Sequence, residues 1–195
     1  MQIHLIKHLL TKVNTVISES QGFLYAKSPK TAGTSIYRAT IEKHISDSFL
    51  LDLNRSYKFK HKLFKFTIVR NPWDKLVSNF SYCNKLKYAN TPINFSDFIT
   101  FLEDGKGSPN LKAHCRPIHD YFLLSDKQWV DFIGRFENLE NDWRYICSKM
   151  TNFSRDLPIT NTTIHDNYQT YYTTKDIERV YNMYKIEIDY LGYTF

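Results

Sequence analysis

Two short apolar runs, each cut off by a proline dipeptide and each followed by a helical pattern, constrain this chain more than any other feature. Gly22-Phe-Leu-Tyr-Ala-Lys27 closes at Ser28-Pro29, and Phe64-Lys-Phe-Thr-Ile-Val69 closes at Asn71-Pro72. Aromatic and β-branched runs of this length, stopped by turn residues, read as buried strands. After the first, Thr34 or Ser35 is placed to cap a helix running through Ile36, Tyr37 and Thr40 towards Lys43. After the second, Leu76, Phe80 and Cys83 recur at helical spacing to near Lys87. Further along, the pattern predicts a helix over Phe95–Glu103 capped by Asn94 and ended by Gly105, a third strand over Trp129–Phe136, and a helix over Leu139–Met150. A last helix of about 17 residues starts at Thr174, with Ile177, Val180, Tyr181, Tyr184, Ile188 and Leu191 on one stripe. Strands alternating with helices make an α/β domain with a mainly parallel sheet. Ligands of such sheets sit beyond the carboxyl ends of the strands, so the loops after Lys27 and Val69 are where chemistry is expected.

No repeat or Pro/Gly/Ser linker divides the 195 residues, which predicts one domain with residues 1–21 as an N-terminal extension. No apolar run approaches the roughly 20 residues of a membrane-spanning helix. The opening MQIHLIKHLLTK has lysines within its apolar stretch and no small-residue cleavage site, unlike a secretory signal. Three widely spaced cysteines, Cys83, Cys115 and Cys147, form neither a disulfide framework nor a metal knuckle, and a cytoplasmic, reducing compartment is the expectation. The net charge is +6. Its excess gathers at Arg55, Lys58, Lys60, Lys62, Lys65 and Arg70, a run without acids that could draw in an anionic ligand.

The segment Ser28-Pro-Lys-Thr-Ala-Gly-Thr-Ser35 joins a strand to a helix start. There a glycine admits close approach of the backbone, amide N–H groups face an anion, Lys30 adds a charge, and Thr34 and Ser35 add hydroxyls. It is a phosphate cradle in physical terms, yet it lacks the GxxxxGK[ST] order of the nucleoside-triphosphatase loop. In Val69-Arg-Asn-Pro-Trp-Asp-Lys-Leu-Val-Ser78, Arg70 stands at a strand tip and Ser78 follows eight residues later, two turns into a helix. The two could grip one phosphate; equally, Arg70 could pair with Asp74.

Taken together, Pro29-Lys-Thr-Ala-Gly-Thr-Ser-Ile36 resembles the 5′-phosphosulfate loop of sulfotransferases that use 3′-phosphoadenosine 5′-phosphosulfate (PAPS). Val69–Ser78 resembles their 3′-phosphate motif. Lys43-His44, Asp131-Phe-Ile-Gly-Arg-Phe-Glu-Asn-Leu-Glu140 and the ending Leu-Gly-Tyr-Thr-Phe195 are similar to segments of the carbohydrate sulfotransferase subgroup and its bacterial relatives. The resemblance implies a P-loop-like, three-layer α/β domain with a mainly parallel sheet flanked by helices, and no metal. It implies that Lys30 bridges the 5′-phosphate and sulfuryl group and that Thr31, Ala32, Gly33, Thr34 and Ser35 donate to the 5′-phosphate. Arg70 and Ser78 would hold the 3′-phosphate, and His44 would be the general base, with Glu42 and His61 as competitors; Phe136, an aromatic after a strand, could stack on the adenine or be a core residue. Sulfuryl would pass from PAPS to a hydroxylated acceptor, expected to be a saccharide rather than a nucleic acid, releasing PAP. A bacterial enzyme of polysaccharide synthesis fits this picture. The alternatives are an inactive relative that binds PAP or a glycan, and a kinase-like P-loop enzyme that Arg70 and Ser78 disfavour.

His114 is a candidate acceptor contact. With Cys115 and His119 it falls short of a catalytic zinc set, which needs three well-placed ligands. Tyr168–Tyr172 could line a sugar groove or pack against the last helix.

Overall fold

The computed structural model describes residues 15–18, 20–40, 63–86, 92, 94–124, 126–158 and 166–195. They fall in two compact units, 1–69 with 120–161 and 70–119 with 162–195.

The first unit is built on a sheet of β1 (Thr15–Ser18), β2 (Phe23–Ala26), β3 (Phe64–Val69) and β6 (Phe132–Arg135) in the order β1-β2-β3-β6. Pairing is parallel between β2 and β3 and between β3 and β6, in register Tyr25↔Phe66 and Val69↔Arg135. β1 comes from the N-terminal extension and pairs antiparallel with β2 as an edge strand. Side chains alternate across the sheet. Phe23, Tyr25, Phe66 and Ile68 share a core with Ile36 and Ala39 of α1 (Gly33–Thr40) and Trp143, Ile146 and Cys147 of α5 (Leu139–Lys149). Leu24 joins Leu63, Ile17 and Trp129 in a separate cluster. A small hairpin of β4 (Leu123–Leu124) and β5 (Lys127–Gln128) turns at Asp126, whose φ is 63°.

The third strand is shorter than its composition predicts. Trp129 donates its N–H to Phe122, outside the ladder, and the Asp131 carboxylate takes the Lys65 N–H at 2.9 Å where pairing with β3 begins. Past Arg135 the chain enters a 3₁₀ turn, Phe136–Asn138.

The second unit is helical: α2 (Pro72–Lys85), α3 (Phe95–Glu103), α4 (Pro109–Cys115), α6 (Thr174–Met183) and α7 (Lys185–Leu191). Its starts are written locally. Asn71, Asn94 and Ser108 each accept a backbone N–H of the following turn, and Pro72 and Pro109 occupy the first positions, where no N–H is needed. Trp73, Leu76, Phe80, Phe95, Phe98, Val180 and Ile188 form its core. Tyr168, Tyr171 and Tyr172 pack on that core through a 3₁₀ turn, and Tyr172 donates its hydroxyl to the Trp73 carbonyl at 2.9 Å. Packing on that core is what the structure shows for those tyrosines.

The single long C-terminal helix expected from the stripe is broken at Tyr184, whose φ −121° and ψ 22° leave the helical region. Its ring is buried and its hydroxyl donates to the Cys115 carbonyl at 2.7 Å. That contact with α4 accompanies a backbone bend that no local residue signals.

Candidate active site

In the first unit, the segment after β2 reverses direction with two non-glycine residues at positive φ, Lys30 at 63° and Ala32 at 61°. Each such residue costs about 1–3 kcal/mol, and positions of this kind cluster at binding and catalytic sites. Reversals of this sort build concavities in which successive N–H groups hold an anion. The left-handed conformations fall on Lys30 and Ala32, neither of them glycine. Gly33 serves another purpose: a Cβ there would lie 3.0 Å from Cγ and Cε of Lys27, whose stem crosses it. The Lys27 ammonium stands 5.3 Å from the centre of the Tyr37 ring.

The first helical bond of α1 runs from Ile36 N–H to the Ala32 carbonyl at 3.1 Å. Thr34 and Ser35 therefore lie inside the first turn and do not cap it. With Gly33 they occupy the end of the helix where amide N–H groups precede the ladder and the helix dipole favours negative charge.

Thr31 departs from expectation. Its side chain is fully buried, with Oγ1 2.7 Å from Ser28 Oγ and 3.0 Å from the Ser28 carbonyl oxygen. Ser28, also buried, donates its hydroxyl to the Ile68 carbonyl of β3. Burial holds the Tyr25 phenol above its ordinary range, and the Thr31 hydroxyl beside it offsets part of that. What Thr31 can offer a ligand is its backbone. Phe136, from the 3₁₀ turn after β6, is half-buried and packs against the core of the same unit.

In the second unit, Arg70 follows the last residue of β3 directly and is buried. Its Nε donates to Asp74 Oδ2 at 2.7 Å, so the pairing with Asp74 is real. Asp74 and Ser78 are one helical turn apart on α2 and share a face. Asp74 thus orients the guanidinium at the head of the face that carries Ser78, which is buried. Asn71 fixes the start of α2, accepting the Trp73 N–H at 3.0 Å and donating Nδ2 to the Thr194 carbonyl at 3.0 Å.

His114 lies on α4, half-buried, with its ring centre 5.5 Å from that of Tyr82. Asn79, next to Ser78, donates to the His114 carbonyl at 2.9 Å and ties α4 to α2. Cys115 is buried, and His119 Nδ1 faces Glu187 at 3.3 Å. Among the described residues, no group of three or more His, Cys, Asp or Glu is placed to hold a metal ion. A groove of about 630 Å³ in this unit is lined by Trp73, Ile177, Tyr181, Ile188, Tyr193 and Phe195, among others, and none of the site residues named from the sequence lines it. His44, with Glu42 and His61, lies outside the described residues.

The first unit sets a lysine at a strand-to-helix reversal and the second opens on a buried arginine, each a side chain suited to phosphorylated or sulfated groups. The Sulfotransferase family model matches residues 13–194, and the chain belongs to that family. An uncharacterised protein of Archaeoglobus fulgidus is 31% identical over 107 residues, covering 53% of this chain and 81% of that protein. No solved structure matches. The chemistry of the family is sulfuryl transfer to a hydroxylated acceptor, with PAPS as its typical donor. Among the described residues no helix is long and apolar enough to cross a membrane.

Ser28, Tyr25, Lys75 and Glu187 support these segments without a motif that marks them. A serine three residues before a threonine in a turn is a usable signal for the first; the other three are joined to their partners by folding alone.

Proposed function

We propose that the chain is a PAPS-dependent sulfotransferase acting as one catalytic domain, with a carbohydrate hydroxyl as acceptor. The Lys30 loop takes the 5′-phosphosulfate through the backbone of residues 31–35 and the hydroxyls of Thr34 and Ser35. Arg70, oriented by Asp74, and Ser78 take the 3′-phosphate, and Phe136 takes the adenine. His114 contacts the acceptor. The acceptor oxygen attacks sulfur, the bond from sulfur to the 5′-phosphate oxygen breaks, and the acceptor proton passes to His44. PAP leaves with the negative charge on its 5′-phosphate, where Lys30 stabilises it. Sulfuryl transfer asks chiefly for positioning and charge stabilisation, which is what a lysine held on a fixed turn supplies.

The observation that carries this reading is Lys30 itself, held at φ 63° on the loop between β2 and α1, in a chain of this family. The test is PAP release from PAPS in the presence of oligosaccharide acceptors, for wild type and Lys30→Ala. Loss of a transition-state donor typically costs about 10²–10³ in kcat. Sulfated product from wild type and a loss of that order in the variant support the proposal. PAP binding without transfer points to the inactive relative, and phosphoryl transfer from ATP points to the kinase-like reading.

A further inference from the structure

Thr31 is flanked by both strained residues of the loop, Lys30 at φ 63° and Ala32 at φ 61°, and it is the one of the three whose side chain is wholly enclosed. Its hydroxyl meets Ser28 twice, at Oγ 2.7 Å away and at the carbonyl oxygen 3.0 Å away, and Ser28 Oγ passes the connection on to the Ile68 carbonyl. The side chain between the two left-handed residues is thus turned under the loop. We propose that Thr31 is a positioning residue: its hydroxyl, through Ser28, pegs the loop to β3 and holds Lys30 in the left-handed conformation from which it reaches the transferring group. The kinetic part of this inference rests on the sulfotransferase reading; the structural part does not.

The physical argument is one of compensation. Left-handed backbone at two non-glycine residues persists only where the surroundings over-determine it. Here the local sequence supplies no glycine at 30 or 32, so the compensation has to come from contacts. Thr31 is the only residue between them, and its hydroxyl is the polar group that folding has spent on the loop's underside. A valine in its place is close in shape but has no hydroxyl, so it removes the peg and leaves its Ser28 partners unpaired on that side.

Thr31→Val, Thr31→Ser and Ser28→Ala test the proposal. Expected for Thr31→Val is a fall in kcat of about 10–100-fold, the scale on which an ångström of misplacement acts, and larger than the accompanying loss of PAP affinity. Thr31→Ser keeps the hydroxyl and should stay within about threefold of wild type in kcat. Ser28→Ala should resemble Thr31→Val, and the double variant should be no worse than either, because both break one linkage. A crystal structure of Thr31→Val should show Lys30 or Ala32 out of the positive-φ region. That measurement stands even if wild type proves to transfer no sulfuryl group. Wild-type kcat in Thr31→Val, equal loss in the Val and Ser variants, or matching losses of PAP affinity and kcat would each overturn the positioning role. Unchanged φ values at Lys30 and Ala32 in Thr31→Val would overturn the peg itself.

Discussion

Lys75 and Glu187, both fully buried, face each other at 3.6 Å between Nζ and Oε1 in the core of the second unit. Lys75 also donates to the Arg116 carbonyl at 2.8 Å and lies 4.8 Å from the centre of the Tyr184 ring. Glu187 accepts the N–H groups of Ile118 at 2.6 Å and His119 at 3.1 Å. One ion pair therefore fastens α2, which carries Arg70 at its head and Ser78 within it, to the chain after α4 and to α7.

Removing one partner leaves the other charge buried without compensation, which costs about 3–5 kcal/mol. Lys75→Met is expected to lose that much in urea denaturation, and Lys75→Arg much less. A loss below about 1 kcal/mol for the methionine variant would show that the pair does not hold the helix.

Burial holds the Lys75 ammonium below its ordinary lysine value, and the Glu187 charge acts against that shift. Between the lowered native value and the ordinary one near 10.4, the unfolded chain binds the proton that the native chain has released, so stability rises with pH. Lys75→Met should remove this rise. The comparison belongs below pH 10. Above it the buried phenols of Tyr25, Tyr172 and Tyr184, all pushed up by burial, act in the opposite sense because only the unfolded chain ionises them. Identical pH slopes for wild type and Lys75→Met below pH 10 would contradict the assignment.

Gly134 lies in β6, where a Cβ would fall 2.6 Å from Ile68 Cδ1 and 3.4 Å from Asp142 Cβ. Gly134→Ala is expected to destabilise by about 1–3 kcal/mol through overpacking. Ile68→Val removes the atom it strikes, so adding it to Gly134→Ala should recover part of the loss instead of adding to it. Additive losses in thermal unfolding would place the strain elsewhere.

Arg70→Ala should weaken PAP by about tenfold or more while leaving ADP nearly unchanged, since a charge-assisted phosphate contact is worth about 1.5–3 kcal/mol. Asp74→Asn, which keeps the side chain's shape but removes the charge orienting Arg70, should lose less. Calorimetry showing equal losses for PAP and ADP in Arg70→Ala would remove Arg70 from the 3′-phosphate.

For His44 the expectation is a turnover loss of about 10²–10⁴-fold on His44→Ala, with PAP affinity preserved and the acid limb of the pH–rate profile gone. A wild-type rate in His44→Ala beside an inactive Glu42→Gln would move the base to Glu42.

Much of this protein is written locally. Asn71-Pro72, Asn94 and Ser108-Pro109 set helix starts through contacts within one turn, and the apolar runs at Phe23–Ala26 and Phe64–Val69 have nowhere to go but a buried sheet. Those signals placed both candidate loops, and the match over residues 13–194 bears out membership of a sulfotransferase family. The tertiary structure decided the rest. Nothing near Lys30 or Ala32 announces a positive φ, because neither is glycine; the conformation is bracketed around Thr31, whose hydroxyl reaches Ser28 and through it a carbonyl of another strand. Tyr184 reads as one more member of an apolar stripe until its hydroxyl finds the Cys115 carbonyl. Lys75 and Glu187, far apart in the chain, are brought together by folding in a core where each charge needs the other. Local signals act through dihedral preference and one-turn hydrogen bonds, whereas a buried polar group has meaning only with a partner that the chain's path supplies.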